Sequence, residues 1–181
     1  MPENYDPWQN VITKNGYRAD EIISALQKEI RRGHEENAAA IAHEMISTGT
    51  DLENYLWSRL RTISVEDIGL ADRNAVLTVH ALDIMRREAL MPHDREMFAI
   101  HAVRYLSAAL KDRSTDELLN YIKKGSILPE IPDYALDKHT KRGQEMGRGS
   151  EHFMTEASKV KPEWEDRDRT YHDRLISIMG I

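Results

Sequence analysis

Two adjacent carboxylates, Glu66 and Asp67, stand in the least generic run of the chain, Arg59-Leu60-Arg61-Thr62-Ile63-Ser64-Val65-Glu66-Asp67-Ile68-Gly69-Leu70-Ala71-Asp72-Arg73. Paired carboxylates can hold a divalent cation or trade protons. Neighbours on a helix do not face each other, so this pair alone is not a two-carboxylate site. The simpler reading is structural, with the two acids capping backbone amides and pairing with Arg59, Arg61 or Arg73. Gly69 then permits a sharp bend, and Asp72 is a residue type that starts helices.

Helical nucleotide pyrophosphohydrolases also place carboxylates on facing helices. Glu35-Glu36 and Glu66-Asp67 suit such a set, but its remaining spacing is not completed here. A small all-helical, metal-dependent nucleotide hydrolase is therefore the alternative reading. The 8 histidines raise a metal centre next. His34-Glu35 and His43-Glu44 are not followed by a histidine at the interval a zinc-protease helix needs. His93 and His101 fall about 12 Å apart on one helix, at 1.5 Å per residue, too far to share an ion without other ligands. Neither a metal site nor a catalytic residue is assigned, and no cofactor is expected. The chain also lacks a Gly-x-x-x-x-Gly-Lys-Ser/Thr loop, a Gly-x-Gly-x-x-Gly turn and a Gly-x-Ser-x-Gly elbow.

A basic run offers a different chemistry. Lys138, His139, Lys141, Arg142 and Arg148 surround Gly143 and Gly147, with Glu145 the one acid between them. Cations attract phosphate, and glycines let a backbone approach it closely. The run is thus a candidate for DNA or phosphate contact, and a solvated loop explains the same composition. The net charge of −6 argues against coating nucleic acid with the whole surface.

The elements that must position these groups read as helices throughout. Apolar residues are 40% of the 181, with only 2 Phe, so the core must be Leu, Ile, Ala and Met, a helix-favouring palette. There is no cysteine, which fits a reducing cytosol and excludes disulfides and thiolate chemistry. No run approaches the ~20 apolar residues of a membrane span, and no secretory signal is visible, so a cytoplasmic protein with no membrane partner is expected.

Residues 1–17 read as an irregular arm in which Trp8 either anchors in a groove or stays loose. Helical periodicity follows over 18–32 and 35–47. A third helix runs over 51–64, capped by Asp51. The fourth, over 75–89, buries Val76, Leu77, Val79, Leu82 and Met85. A fifth, over 93–110, carries Met97, Ile100, Val103, Leu106 and Leu110. Ser114-Thr115-Asp116-Glu117 has the form of a capping box opening a sixth helix that ends at Gly125. The three expected segments are an arm (1–17), a helical core (18–126) and an extended, basic C-terminal segment with short helices packed on that core (127–181). Leu175, Ile176, Ile178 and Met179 give it a short apolar end. The fold class is all-α, with no convincing strand alternation.

The 59–73 junction resembles the C-terminal region of the replication-associated recombination protein A family, also called MgsA, whose eukaryotic relative is the Werner-helicase-interacting protein. That family runs a basic helix into Ser-Glu-Asp-Ile-Gly-Leu-Ala-Asp. Here Ser64 and Val65 occupy the family's Ala-Ser positions, and Glu66 through Asp72 keep its register. Ile23-Ser24-Ala25-Leu26-Gln27-Lys28-Glu29-Ile30-Arg31-Arg32-Gly33 is similar to its opening block. Met91-Pro92 is similar to its Gly-Met-Pro-Glu turn, with Leu90 in place of the glycine. Residues 136–149 are loosely similar to a lysine- and glycine-bearing segment. The likeness covers roughly 20–155.

It implies a compact multi-helix domain of the clamp-loader-collar type that assembles into a homotetramer. It also implies work beside an AAA+ ATPase, at DNA ends and stalled replication forks. Arg59, Arg61, Glu66, Asp67, Gly69 and Asp72 would be signature residues with structural roles. The motor itself has no room here, so the chain is either an excised domain or a free-standing relative, and Met1 with the unusual arm favours the second. The expected function is a non-catalytic oligomerisation and adaptor module. Its partners would be copies of itself, DNA, and an AAA+ ATPase or replication protein.

Overall fold

A computed structural model describes residues 6–181, so the first five residues of the expected arm lie outside the described residues. The chain divides into two compact units, one ending at Ile127 and one beginning at Leu128. Among the described residues there is no strand, only an isolated bridge between Ile12 and Arg18.

The first unit is built from α1 (Ala19–Arg32), α2 (Glu35–Thr48), α3 (Thr50–Ile63), α4 (Ala75–Glu88), α5 (Pro92–Ala108) and α6 (Ser114–Gly125). Between α3 and α4 lie a π-helical turn, Ser64–Ile68, and a 3₁₀ turn, Gly69–Ala71. Helix α1 buries Ile22, Leu26 and Ile30, one side of a 3.6-residue period, and Gly33 stops it in the left-handed region at φ 75°. The short turn that follows returns the chain antiparallel as α2. Leu26, Ile30, Met45, Leu56, Trp57, Leu60, Val79, Val103 and Leu106 meet in one core. Removing such side chains from water is the main source of stability, about 1.5–3 kcal/mol for each large one.

The described part of the arm is tied down. The ring of Trp8 packs against that of Tyr55 in a tilted pair, with centroids 4.9 Å apart. Asn15 donates through its backbone N–H to Glu44 Oε1 at 2.8 Å, and Lys14 N–H donates to Thr48 Oγ1 at 3.1 Å. Trp8 is therefore an anchor.

Three local expectations are corrected. Asp51 is no cap: α3 begins at Thr50 after Gly49, whose extended backbone ends α2 without a side-chain hydrogen bond. The capping box at 114–117 does not form, because Ser114 is already helical. Its N–H is instead taken by the carboxylate of Asp112 at 2.9 Å. Helix α4 is rotated relative to the expected stripe. It buries Ala75, Val79, Leu82, Asp83 and Arg86, and leaves Val76, Leu77 and Met85 exposed. The charged pair belongs to the inner face, and a stripe drawn from apolar residues alone misses it. Likewise Leu106 is in the core, while Met97 and Leu110 are exposed.

The second unit holds three short helices, α7 (Lys141–Glu145), α8 (Ser150–His152) and α9 (Thr170–Met179). A π-helical turn, Phe153–Ala157, continues α8. Gly143 sits hard against the 137–140 turn, where a Cβ would stand 2.0 Å from the Asp137 carbonyl oxygen.

Candidate functional site

The acidic junction is an arginine-locked hub. Asp67 is fully buried. Its Oδ2 accepts from Gln27 Nε2 at 2.8 Å, and its Oδ1 from Arg31 Nε at 2.5 Å and an Arg113 guanidinium nitrogen at 3.3 Å. Glu66 lies 3.3 Å from Arg31 and 3.8 Å from Arg113. The expected partners Arg59, Arg61 and Arg73 are thus corrected to Arg31, from α1, and Arg113, from the α5–α6 link. Arg59 donates to Gln27 instead and so braces the residue that holds Asp67. The π-helical turn explains the change: one extra residue per turn swings both carboxylates away from α3's own arginines and toward α1.

Both Asp67 oxygens already accept hydrogen bonds from cations or an amide. A metal ion placed there would face two guanidinium groups, so the geometry offers no support to a hydrolase site. Among the described residues no three histidine, aspartate or glutamate side chains converge.

Gly69 and Asp72 complete the junction. Gly69 has φ 54° and ψ −133°, and a Cβ there would stand 2.3 Å from the Asp112 carbonyl oxygen. Asp72 accepts from Tyr105 Oη at 2.6 Å and from the Asn74 N–H at 2.9 Å. That hydrogen bond, together with burial, raises the Tyr105 phenol above its ordinary pKa. Asp72 thus shapes the turn before α4 and ties it to α5, while the N-cap position falls to Asn74 without a side-chain capping bond.

A second ionic cluster escaped the sequence reading. Asp83 and Glu53 are buried acids on α4 and α3. Asp83 accepts from Arg86 at 2.9 Å, Arg61 at 2.9 Å and Arg87 at 2.5 Å. Arg86 also reaches Asn54 at 2.9 Å and Glu53 at 3.4 Å, and Arg95 grips both Glu53 oxygens at 3.0 Å. The Arg86 guanidinium lies 5.5 Å from the centre of the Trp57 ring. Burial pushes the Asp83 carboxyl up, but hydrogen bonds from Arg86 and Arg87 outweigh it and hold the group below the usual carboxylate range. The signal was the i, i+3, i+4 spacing of Asp83, Arg86 and Arg87, which on an exposed face is worth only tenths of a kcal/mol and so draws no attention.

The basic run is gathered in the second unit, but most of its charge is spent internally. Arg148 is committed to a partner within its own unit. Its guanidinium grips both Asp133 carboxylate oxygens at 2.7 Å and the Leu136 carbonyl at 3.0 Å, leaving the side chain 16% exposed. That pairing holds the Asp133 carboxyl low. Lys138 lies over the Phe153 ring at 4.8 Å and reaches Ser150 at 3.2 Å. His139 bonds Asp137 at 2.9 Å and meets the same ring edge-on. Lys141, 91% exposed, has only a solvent-facing ion pair at 3.9 Å with Glu145, and Arg142 is exposed with no carboxylate within ion-pair distance among the described residues.

Apolar surface is concentrated elsewhere. Helix α6 has no buried residue among those described, yet carries Leu118, Leu119, Tyr121 and Ile122. Val65, Leu70 and Val76 line a small cleft of about 210 Å³ with Arg73 and Thr115. The C-terminal helix exposes Tyr171, Leu175 and Ile178 at i, i+4, i+7.

A helical body closed on an arginine-locked acidic turn, with an unburied amphipathic helix beside it, defines an all-α domain. The chain belongs to the family described as MgsA AAA+ ATPase C terminal, whose model matches residues 33–166. The match takes in the whole 59–73 junction and begins at Gly33, the last residue of the 23–33 block. Among similar proteins, the replication-associated recombination protein A of Bacillus subtilis is 36% identical over 141 residues, 75% of this chain and 32% of that protein. The Haemophilus influenzae protein of the same name is 30% identical over 145 residues, 77% of this chain and 31% of its own length. The chain therefore spans about a third of the length of the curated relatives it matches.

Proposed function

We propose that the chain is an oligomerisation and adaptor module of an AAA+ replication–recombination system, with a role at stalled forks. The observation that carries this is α6: a helix with an apolar face and no buried residue among those described. Burying Leu118, Leu119 and Ile122 against a second copy removes several exposed apolar side chains from water, which drives association. Membership in a family whose relatives are named for recombination at replication supports the setting. No helix among the described residues is long and apolar enough to cross a membrane. A cytoplasmic place fits that setting, and four copies is the assembly proposed.

The test is static light scattering at micromolar concentration. Wild type is expected as an oligomer. Leu119→Asp, which sets a charge in the interface, is expected to raise the dissociation constant at least a hundredfold while circular dichroism stays helical. A wild-type monomer overturns the reading.

DNA contact is proposed to run through Lys141 and Arg142, whose charges face water. Reversing both (Lys141→Glu with Arg142→Glu) is expected to weaken single-stranded DNA binding at least tenfold in fluorescence anisotropy at low salt. The salt slope is expected to flatten by about 1.4, roughly 0.7 for each phosphate on the single strand that is no longer neutralised. Equal affinity of the variant and wild type removes this interaction.

A further inference from the structure

Helix α6 meets the rest of its unit mainly at the 64–68 turn. With no buried residue among those described, apolar packing does not set its direction. The link before it is tied residue by residue instead. Lys111 Nζ donates to the Leu106 and Ser107 carbonyls at 3.0 Å and to that of Ala109 at 2.5 Å, closing the end of α5. The Asp112 N–H donates to the Asp67 carbonyl at 2.9 Å, and the Asp112 carbonyl lies against Gly69. Arg113 then reaches Asp67 at 3.3 Å, Glu66 at 3.8 Å and Asp116 of α6 at 2.5 Å.

We propose that the acidic junction is a latch. It holds α6 at a fixed angle on a helical body that folds without it, and opening it frees α6 as one cooperative piece. Hydrogen bonds and ion pairs are directional, whereas apolar contact allows sliding, so a polar attachment fixes an angle. The latch has a fixed half and a moving half. Gln27 and Arg31 hold Asp67 to α1 whatever α6 does. Arg113 alone joins that carboxylate to an acid of α6. A helix of this length is marginal by itself in water, so a released α6 frays. Parts of a fold held by few buried apolar contacts open well below the global unfolding free energy. Arg113 is a positioning residue in this scheme. The consequence for assembly rests on the association reading above: the latch sets the angle at which the α6 face is offered to a second copy.

The test is amide hydrogen exchange of the full chain in the Leu119→Asp background, where assembly does not protect α6. Arg113→Ala is the informative variant, because Asp67 keeps Arg31 and Gln27. Exchange over 114–125 is expected to quicken at least tenfold, with α1, α3 and α5 unchanged. Arg113→Lys, which keeps the charge but not the fork, is expected to fall between the two. Unchanged exchange in α6 overturns the latch. So does exchange that rises equally in α3 and α5, which would make α6 integral to the body. Light scattering of wild type separates the two proposals: a monomer removes the association reading and leaves the exchange result to decide the latch.

Discussion

Gly69→Ala is expected to destabilise the first unit by roughly 2–6 kcal/mol, read as a lower urea midpoint with helix content lost in one step. Two separate effects combine. The backbone at φ 54° and ψ −133° lies where a side chain is strained, costing about 1–3 kcal/mol. The new Cβ would also stand 2.3 Å from the Asp112 carbonyl oxygen, and that neighbour is backbone. It cannot rotate away, because the Asp112 N–H is bonded to the Asp67 carbonyl and its carboxylate to the Ser114 N–H. Forced overpacking of this kind adds about 1–3 kcal/mol. Domains of this size are stable by only about 5–15 kcal/mol, so the loss would remove a large part of that margin. Gly16, with nothing within 4 Å of a Cβ at φ 88°, is the control: alanine there carries strain alone and should have a smaller effect. A loss under about 1 kcal/mol at Gly69 would show that the junction is loose.

Asp83→Ala is expected to have an effect of similar size through charge. Arg86, 5% exposed at its side chain, would keep Glu53 and Asn54 but lose its closest acid. Removing one member of a buried ion pair typically destabilises by about 3–5 kcal/mol, because the other charge stays out of water. The pH dependence has a definite sign. The folded state holds the Asp83 carboxyl below its ordinary value, so the unfolded chain binds the proton more readily. The stabilisation is complete above the unfolded pKa, about 3.9, and is lost as pH falls through the lower folded value. Chemical denaturation should therefore give a constant gap between wild type and Asp83→Ala from about pH 5 to 8. The gap should narrow below about pH 4. A gap that widens on acidification would show that Asp83 is not held ionised by its arginines.

Much of the architecture was legible in the residue order. Helical periods, Gly33 after α1, and Pro92 at the first turn of α5 are local signals, decided within a few residues by propensity and capping. The junction was legible as unusual, and its motif named the family. Its chemistry was not legible. Arg31 and Arg113 lie 36 and 46 residues from Asp67, and nothing in their own neighbourhoods marks them as its partners. The same limit misread α4: Asp83 and Arg86 look like surface charge until Arg61, Glu53, Asn54 and Trp57 are brought around them. In the basic run, composition showed five cationic or titratable residues, but only the fold showed that Arg148 belongs to Asp133.

By itself, then, the sequence determined the helical class, the order of the helices, the absence of thiol chemistry and of a nucleotide-phosphate loop, and the family. These depend on residue type and short-range spacing, which a single chain displays directly. The tertiary structure decided which charges are spent and which are free. An ion pair exists only where two side chains meet, and burial, which multiplies its strength, is a property of everything packed around it. That is why two adjacent acids that read as a possible metal site became, once α1 and the α5–α6 link closed on them, the lock of the helical body.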